Sequence, residues 1–138
     1  MSAFKIFDIA GSAMGAQSLR LNLVASNLAN ADAVTSSINQ TYRARQPVFA
    51  TELQSVLDQR GAGAGVEVRG VVESQVPPRM EYAPDHPLAN ADGYIFRPNV
   101  DTIEEMTNML SASRSYQDNV EVANTAKQLL LQTLKLGE

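Results

Sequence analysis

His86 is the single histidine of this 138-residue chain, with Asp85 beside it and Asp92 six residues on. An imidazole among carboxylates suits a metal site or an acid–base pair. A metal would need further ligands of matched softness, and a proton relay would need a nucleophile within reach; the local sequence offers neither. The run is read as a solvated loop. Ser111, Ser113 and Ser115 fall in a helical stretch with no histidine near them, and no nucleophile-elbow pattern occurs in the chain. Glu104 with Glu105, and Asp118 with Glu121, are paired carboxylates, but in a helix they act as start-of-helix and solvent-face charges. Gly61, Gly63 and Gly65 do not make a phosphate loop: dinucleotide spacing requires glycine where Val66 stands, and a strand pattern follows. With no cysteine there is no disulfide, no zinc-finger spacing and no thiol nucleophile. The expectation is a protein that is not an enzyme, with no catalytic or metal residues, no cofactor and no small-molecule substrate.

The stretch that must organise such a chain is Pro98 to Gly137. Asp101 and Thr102 are polar starters, each with a glutamate three residues on, and no glycine or proline intervenes before Gly137. A helix from Thr102 to Leu136 would be roughly 50 Å long, against a compact domain of ~30 Å. Met106, Met109, Ser113, Tyr116, Val120, Ala123, Lys127, Leu130 and Leu134 recur at three- and four-residue steps and form one stripe. Ile103, Leu110, Leu129 and Leu136 widen it at both ends, and Gln117, Asn124 and Lys127 interrupt it as candidate register points. The stripe has two readings, a core-facing helix surface or a seam shared between chains.

A second helical segment spans Ala3 to about Ala31, with Phe7, Ala10, Met14, Gln17, Leu21, Val24, Leu28 and Ala31 in a seven-residue repeat. Gly11 and Gly15 inside it each cost roughly 1 kcal/mol against alanine, so its first half depends on packing. Asn27 and Asn30 lie late in this helix, where asparagine either caps the end or makes lateral hydrogen bonds between subunits.

Between the helices the sequence changes character. Ala33 to Thr41 is polar and turn-like; Tyr42, Val48, Phe49 and Leu53 suggest an extended segment past Pro47, with a short helical turn at Val56 and Leu57. Gly61 to Gly65 reads as a flexible tip. Val66, Val68 and Val72 alternate with charges around Gly70, the pattern of a strand with a bulge. Met80 with Tyr82, and Ile95 with Phe96, mark two further short strands around a turn-rich run. These strands are too few to be stable without the helices. The expected fold is mainly α, with long N- and C-terminal helices pairing as a coiled coil and a small irregular β-containing middle. Residues 1–32 form the first helix, 33–97 the middle excursion and 98–138 the long C-terminal helix.

Composition sets further bounds. A hydrophobic fraction of 44% supports a real core, though with no tryptophan it is a thin one. A net charge of -4 without a basic stripe argues against nucleic-acid binding. No run approaches a transmembrane span. The N-terminus lacks a continuous signal-peptide core despite the Ala29-Asn30-Ala31 look-alike, so if the chain leaves the cytoplasm an ordinary cleaved signal is not the route.

Several motifs are similar to those of the flagellar axial proteins. Phe7-Asp8-Ile9-Ala10-Gly11-Ser12-Ala13, Arg20-Leu21-Asn22 and Ser26-Asn27-Leu28-Ala29-Asn30-Ala31 resemble the N-terminal signature of that family. Tyr42-Arg43, Asn90-Ala91-Asp92-Gly93-Tyr94, Pro98-Asn99-Val100-Asp101 and Ser111-Ala112-Ser113-Arg114-Ser115-Tyr116-Gln117 resemble its short proximal-rod members in particular. The likeness covers nearly the whole chain and departs from the broader pattern in the longer, glycine-free link from Ala31 to Tyr42. It implies a structural subunit of the basal-body rod in the periplasmic space, part of the drive shaft, exported by the flagellar type III apparatus. The terminal helices would line the inner layer of a helical tube. Implied partners are copies of itself, the other proximal- and distal-rod proteins, the export apparatus and the junction of the MS ring with the export gate. The residues expected at subunit seams are Phe7, Met14, Leu21, Val24, Asn27, Leu28, Asn30, Met106, Met109, Tyr116, Val120, Leu130 and Leu134. Another axial subunit of rod or hook, and a coiled-coil adaptor that does not polymerise, remain the alternatives.

Overall fold

The computed structural model describes residues 3–52 and 63–137, so the expectations for Leu53, Val56, Leu57, Gly61 and Ala62 lie outside the described residues. Helix α1 spans Ala3–Ala29. Strands β1 (Arg45–Thr51), β2 (Val66–Glu73), β3 (Arg79–Tyr82) and β4 (Tyr94–Arg97) follow, and helix α2 spans Thr102–Leu136. The chain is therefore mainly helical, with two long terminal helices and short antiparallel strand pairs between them.

Of the two polar starters, Asp101 is the cap. Its carboxylate accepts from the Ile103 and Glu104 N–H groups at 2.9 and 3.2 Å, meeting two of the donors that every helix start leaves unpaired. Glu104 and Glu105 in the first turn and Lys135 in the last suit the helix dipole. At the end of α1, the Asn30 side-chain amide donates back to the Ser26 carbonyl at 2.8 Å, which supports the capping reading of that asparagine.

α1 and α2 pack antiparallel. Arg20 donates to the Asn108 side-chain oxygen at 2.9 Å, and Asn27 donates to a Glu105 carboxylate oxygen at 3.2 Å, so the end of α1 lies beside the start of α2. With 35 residues against 27, α2 runs on past the beginning of α1. The inward face follows the stripes read in the sequence only in part, sharing Ala10, Val24 and Ala123 with them. Its buried members on α2 are Glu105, Ala112, Ala123 and Ala126, and on α1 Ala10, Ala16, Val24 and Asn27. Met109, Val120 and Leu130 are half-buried at its margin, whereas Met106, Lys127 and Leu134 are exposed. The physical reason is closeness: alanine-lined faces let two helices approach to the short end of the usual ~8–10 Å spacing, and the bulkier side chains are left at the margin or outside.

β1 and β2 form one antiparallel ribbon and β3 and β4 a second. Val48 pairs with Gly70 and Phe49 with Val68, leaving Arg69 as the extra residue of the bulge expected near Gly70. The first ribbon lies along α1. Its base is fixed where the Val66 N–H donates to the Ser12 hydroxyl at 3.1 Å, and its other end where Arg45 meets Asn27. The link from Ala31 to Tyr42 is ordered by hydroxyls. The Thr35 and Thr41 hydroxyls stand 2.8 Å apart and both lie within hydrogen-bond reach of the Ser37 carbonyl, so one donates to the other and the other to the carbonyl, around a short 3-10 turn at Ile38–Gln40. Thr35 also exchanges both backbone bonds with Phe96, at 3.0 and 2.9 Å, tying this link to β4.

The β3–β4 hairpin closes through Gly93, whose φ of +82° is one that side chains resist. A Cβ there would stand 2.9 Å from the Tyr82 ring and 3.2 Å from the Pro84 Cβ. Gly93→Ala is expected to cost about 1–3 kcal/mol, read as a lower urea midpoint with an unchanged slope. A wild-type midpoint would contradict this account of the turn.

Candidate assembly interface

Some side chains fix the helix pair, and others stand on its outside. Asn27 does the first. It is 1% exposed, and all of its side-chain bonding capacity is used. Its oxygen accepts from the Tyr42 hydroxyl at 2.7 Å and from the Arg45 N–H at 2.9 Å; its nitrogen donates to the Arg45 carbonyl at 2.9 Å and to Glu105. The amide thus joins α1, the first ribbon and α2 at one point. It is expected above to face a neighbouring subunit, but no donor or acceptor is left for one. Val24 is likewise buried within the chain. Met14, Leu21 and Leu28 are half-buried along α1, and Asn30 is half-buried just past its end.

The outside is where the large apolar side chains stand. Ile103 is 76% exposed, Leu110 74%, Leu134 68% and Leu136 89%, with Phe4 and Met106 also more than half exposed. Phe7 and Tyr116, both expected at the seam, are exposed as well, and Leu129 and Leu131 extend the apolar surface at the far end of α2. Single exposed apolar residues are ordinary; contiguous rows on a long helix mark a surface made for contact. The seven-residue steps from Ile103 to Leu110 and from Val122 through Leu129 to Leu136 are such rows. Beside the second, Ile6, Val122, Thr125, Ala126 and Leu129 line an apolar groove between the start of α1 and the end of α2. Gln117, Asn124 and Lys127 are all exposed.

Sequence reasoning left Ile103, Leu110, Leu129 and Leu136 at the fringe of the seam and passed over Phe4, Leu131 and the Tyr42–Asn27–Glu105 cluster. Ala112 and Ala126, fourteen residues apart on α2, with Glu105 seven residues before Ala112, carried the signal for the inward face. The residues considered for chemistry are dispersed. His86 uses Nδ1 to accept the Leu88 N–H at 3.1 Å within its turn, and Asn90 accepts the Asp92 and Tyr94 N–H groups in the next one. Ser111, Asp118 and Glu121 lie exposed on α2. Among the described residues, no group of three histidine, aspartate or glutamate side chains is placed to hold a metal ion, and no helix is long and apolar enough to cross a membrane.

Comparison with known proteins gives this arrangement its context. Residues 7–35 match the family model described as flagella basal body rod protein, and residues 91–136 match that described as flagellar basal body rod FlgEFG protein C-terminal. These segments cover most of α1 and all of α2. The flagellar basal-body rod protein FlgC of Salmonella typhimurium is 54% identical over 138 residues, covering the whole of both chains. That of Yersinia enterocolitica is 52% identical over 138 residues, and that of Bacillus subtilis 34% over 150, again with both chains covered in full. Full-length identity at this level, over a helix pair that turns its bulk outward, shows that the chain belongs to the FlgC family of flagellar basal-body rod proteins.

Proposed function

We propose that the chain is a structural subunit of the flagellar rod that polymerises through the outer faces of its two terminal helices and, in the assembled shaft, bears motor torque. The observation that carries this reading is the inverted distribution of bulk: the helix pair buries alanines and exposes isoleucine, leucine, methionine and phenylalanine. Covering those side chains with neighbouring subunits recovers roughly 25 cal/mol per Å² of apolar surface removed from water. Residues 1–32 and 98–138 then act as one helical unit in the inner layer, and 33–97 as an outer excursion held to it by Asn27.

The partners of this reading are copies of the chain, the other proximal- and distal-rod proteins, and the export apparatus at its junction with the MS ring. The site of action is the periplasmic part of the basal body, reached by type III export without a cleaved signal. The role is mechanical, with no catalytic step. The test is a strain whose only copy carries Leu110→Ser and Leu134→Ser: electron microscopy should find no complete rods, and the cells should not swim. Intact rods and normal swimming would overturn the reading.

A further inference from the structure

A further step, which rests on the assembly reading, concerns which part of one subunit meets which part of the next. The β3–β4 hairpin has two unlike faces. Strand alternation puts Arg79, Glu81, Ile95 and Arg97 on one side and Met80, Tyr82, Tyr94 and Phe96 on the other. On the first side Ile95 is buried and Arg97 pairs with Glu81 at 3.0 Å, with Arg79 exposed at its edge. The second is open. Met80 and Tyr82 are each more than 60% exposed, the Tyr82 and Tyr94 rings meet edge to face at 5.2 Å, and Leu88 stands exposed in the adjoining turn. Aromatic and methionine side chains are those that contact surfaces enrich.

The hairpin offers only a short edge for strand addition. Phe96 spends its outward backbone groups on Thr35, so Met80 opposite it, and Tyr82 two residues on, direct theirs to the free edge. Pro78 and Pro84 occupy the next positions of the same parity and have no N–H. The broader surface for a partner is the face, covered by side chains.

A matching surface lies at the opposite end of the same molecule. The last turns of α2 run past α1 and expose Leu131 and Leu134 on one face, flanked there by Lys127 and Lys135, the only charged side chains from Val122 to Gly137. The rim of the hairpin face carries the opposite sign, with Asp85 and Asp92 both exposed in its turns. Leucines against aromatics and ammonium groups against carboxylates are complementary in both apolar character and charge. Because the hairpin joins the start of α2, roughly 50 Å from its end, the two surfaces cannot meet within one chain. Unlike surfaces at opposite ends also make a contact that repeats along an assembly instead of closing on itself. We propose that the leucine-rich end of α2 in one copy docks on the Met80–Tyr82 face of a second copy.

The absence of native cysteine makes this testable by disulfide cross-linking. Tyr82→Cys and Leu134→Cys are introduced together into the full chain, basal bodies from cells carrying it as the sole copy are oxidised, and the subunits are separated without reductant. The expected result is loss of the 14.9 kDa band into dimer and higher multiples. Leu134→Cys combined with Ser18→Cys, an exposed position on α1, should stay monomeric. A monomer band alone, or an equal ladder from the control pair, would overturn the contact. If the double variant builds no rods, the purified protein is oxidised at high concentration, where monomer alone overturns it equally. Absence of the ladder together with lost rods in the Leu110→Ser, Leu134→Ser strain would leave assembly through the helices standing and remove only this contact.

Discussion

Asn27→Leu loses about 3–5 kcal/mol of folding stability. Leucine is close to asparagine in size, so the loss comes from orphaned partners and not from a cavity. The Arg45 N–H and carbonyl, the Tyr42 hydroxyl and the buried Glu105 carboxylate are all left without the amide that meets them. Each buried polar group so stranded costs about 1–3 kcal/mol, and those nearer the surface recover part of this through water. A domain of this size with about 5–15 kcal/mol in total would melt roughly 10–20 °C lower. Asn27→Asp is no milder, because it sets a second carboxylate against Glu105. Thermal unfolding of the two variants measures this directly, and a melting point within a degree or two of wild type would refute the role given to Asn27. The double change Asn27→Leu with Glu105→Leu should cost less than the sum of its parts, since each removes a group that the other strands.

That Asn27 works within the chain and not at a seam was not legible in the sequence. Its partners lie 15, 18 and 78 residues away, and no local pattern links them. Local physics did expose the elements themselves. The reach of α2 follows from thirty-five residues without glycine or proline behind a capping aspartate, and the bulge at Arg69 from valines that alternate around Gly70. The inward face was a different matter. Reading the largest apolar residues as the packing stripe assumes that a helix buries its bulk within its own chain; this one buries Ala112, Ala123 and Ala126 and turns Ile103, Leu110 and Leu134 outward. The same substitution of neighbour for core explains why a hydropathy pattern alone left core and contact undecided. Hydrophobicity ranks a residue by its wish to leave water, without saying which chain will cover it.

That division between what holds the subunit and what joins it can be separated by experiment. Leu110→Ser with Leu134→Ser should abolish rod formation and swimming while shifting the stability of the purified subunit by less than about 1 kcal/mol, because neither side chain is buried in the free chain. In the assembled shaft each would be covered, and removing a leucine from a covered site costs about 2–5 kcal/mol. The loss recurs at every subunit of the polymer, so a modest defect per contact is multiplied along the structure. Ala112→Leu should do the reverse: it forces bulk into the alanine-lined interface between α1 and α2, where Ala112 is fully buried, and lowers subunit stability by about 1–3 kcal/mol. Denaturation of the purified chains and electron microscopy of complemented cells give the two readouts independently. If the leucine pair unfolds the subunit, the outer faces belong to its own core; if it leaves rods intact, they belong to no interface.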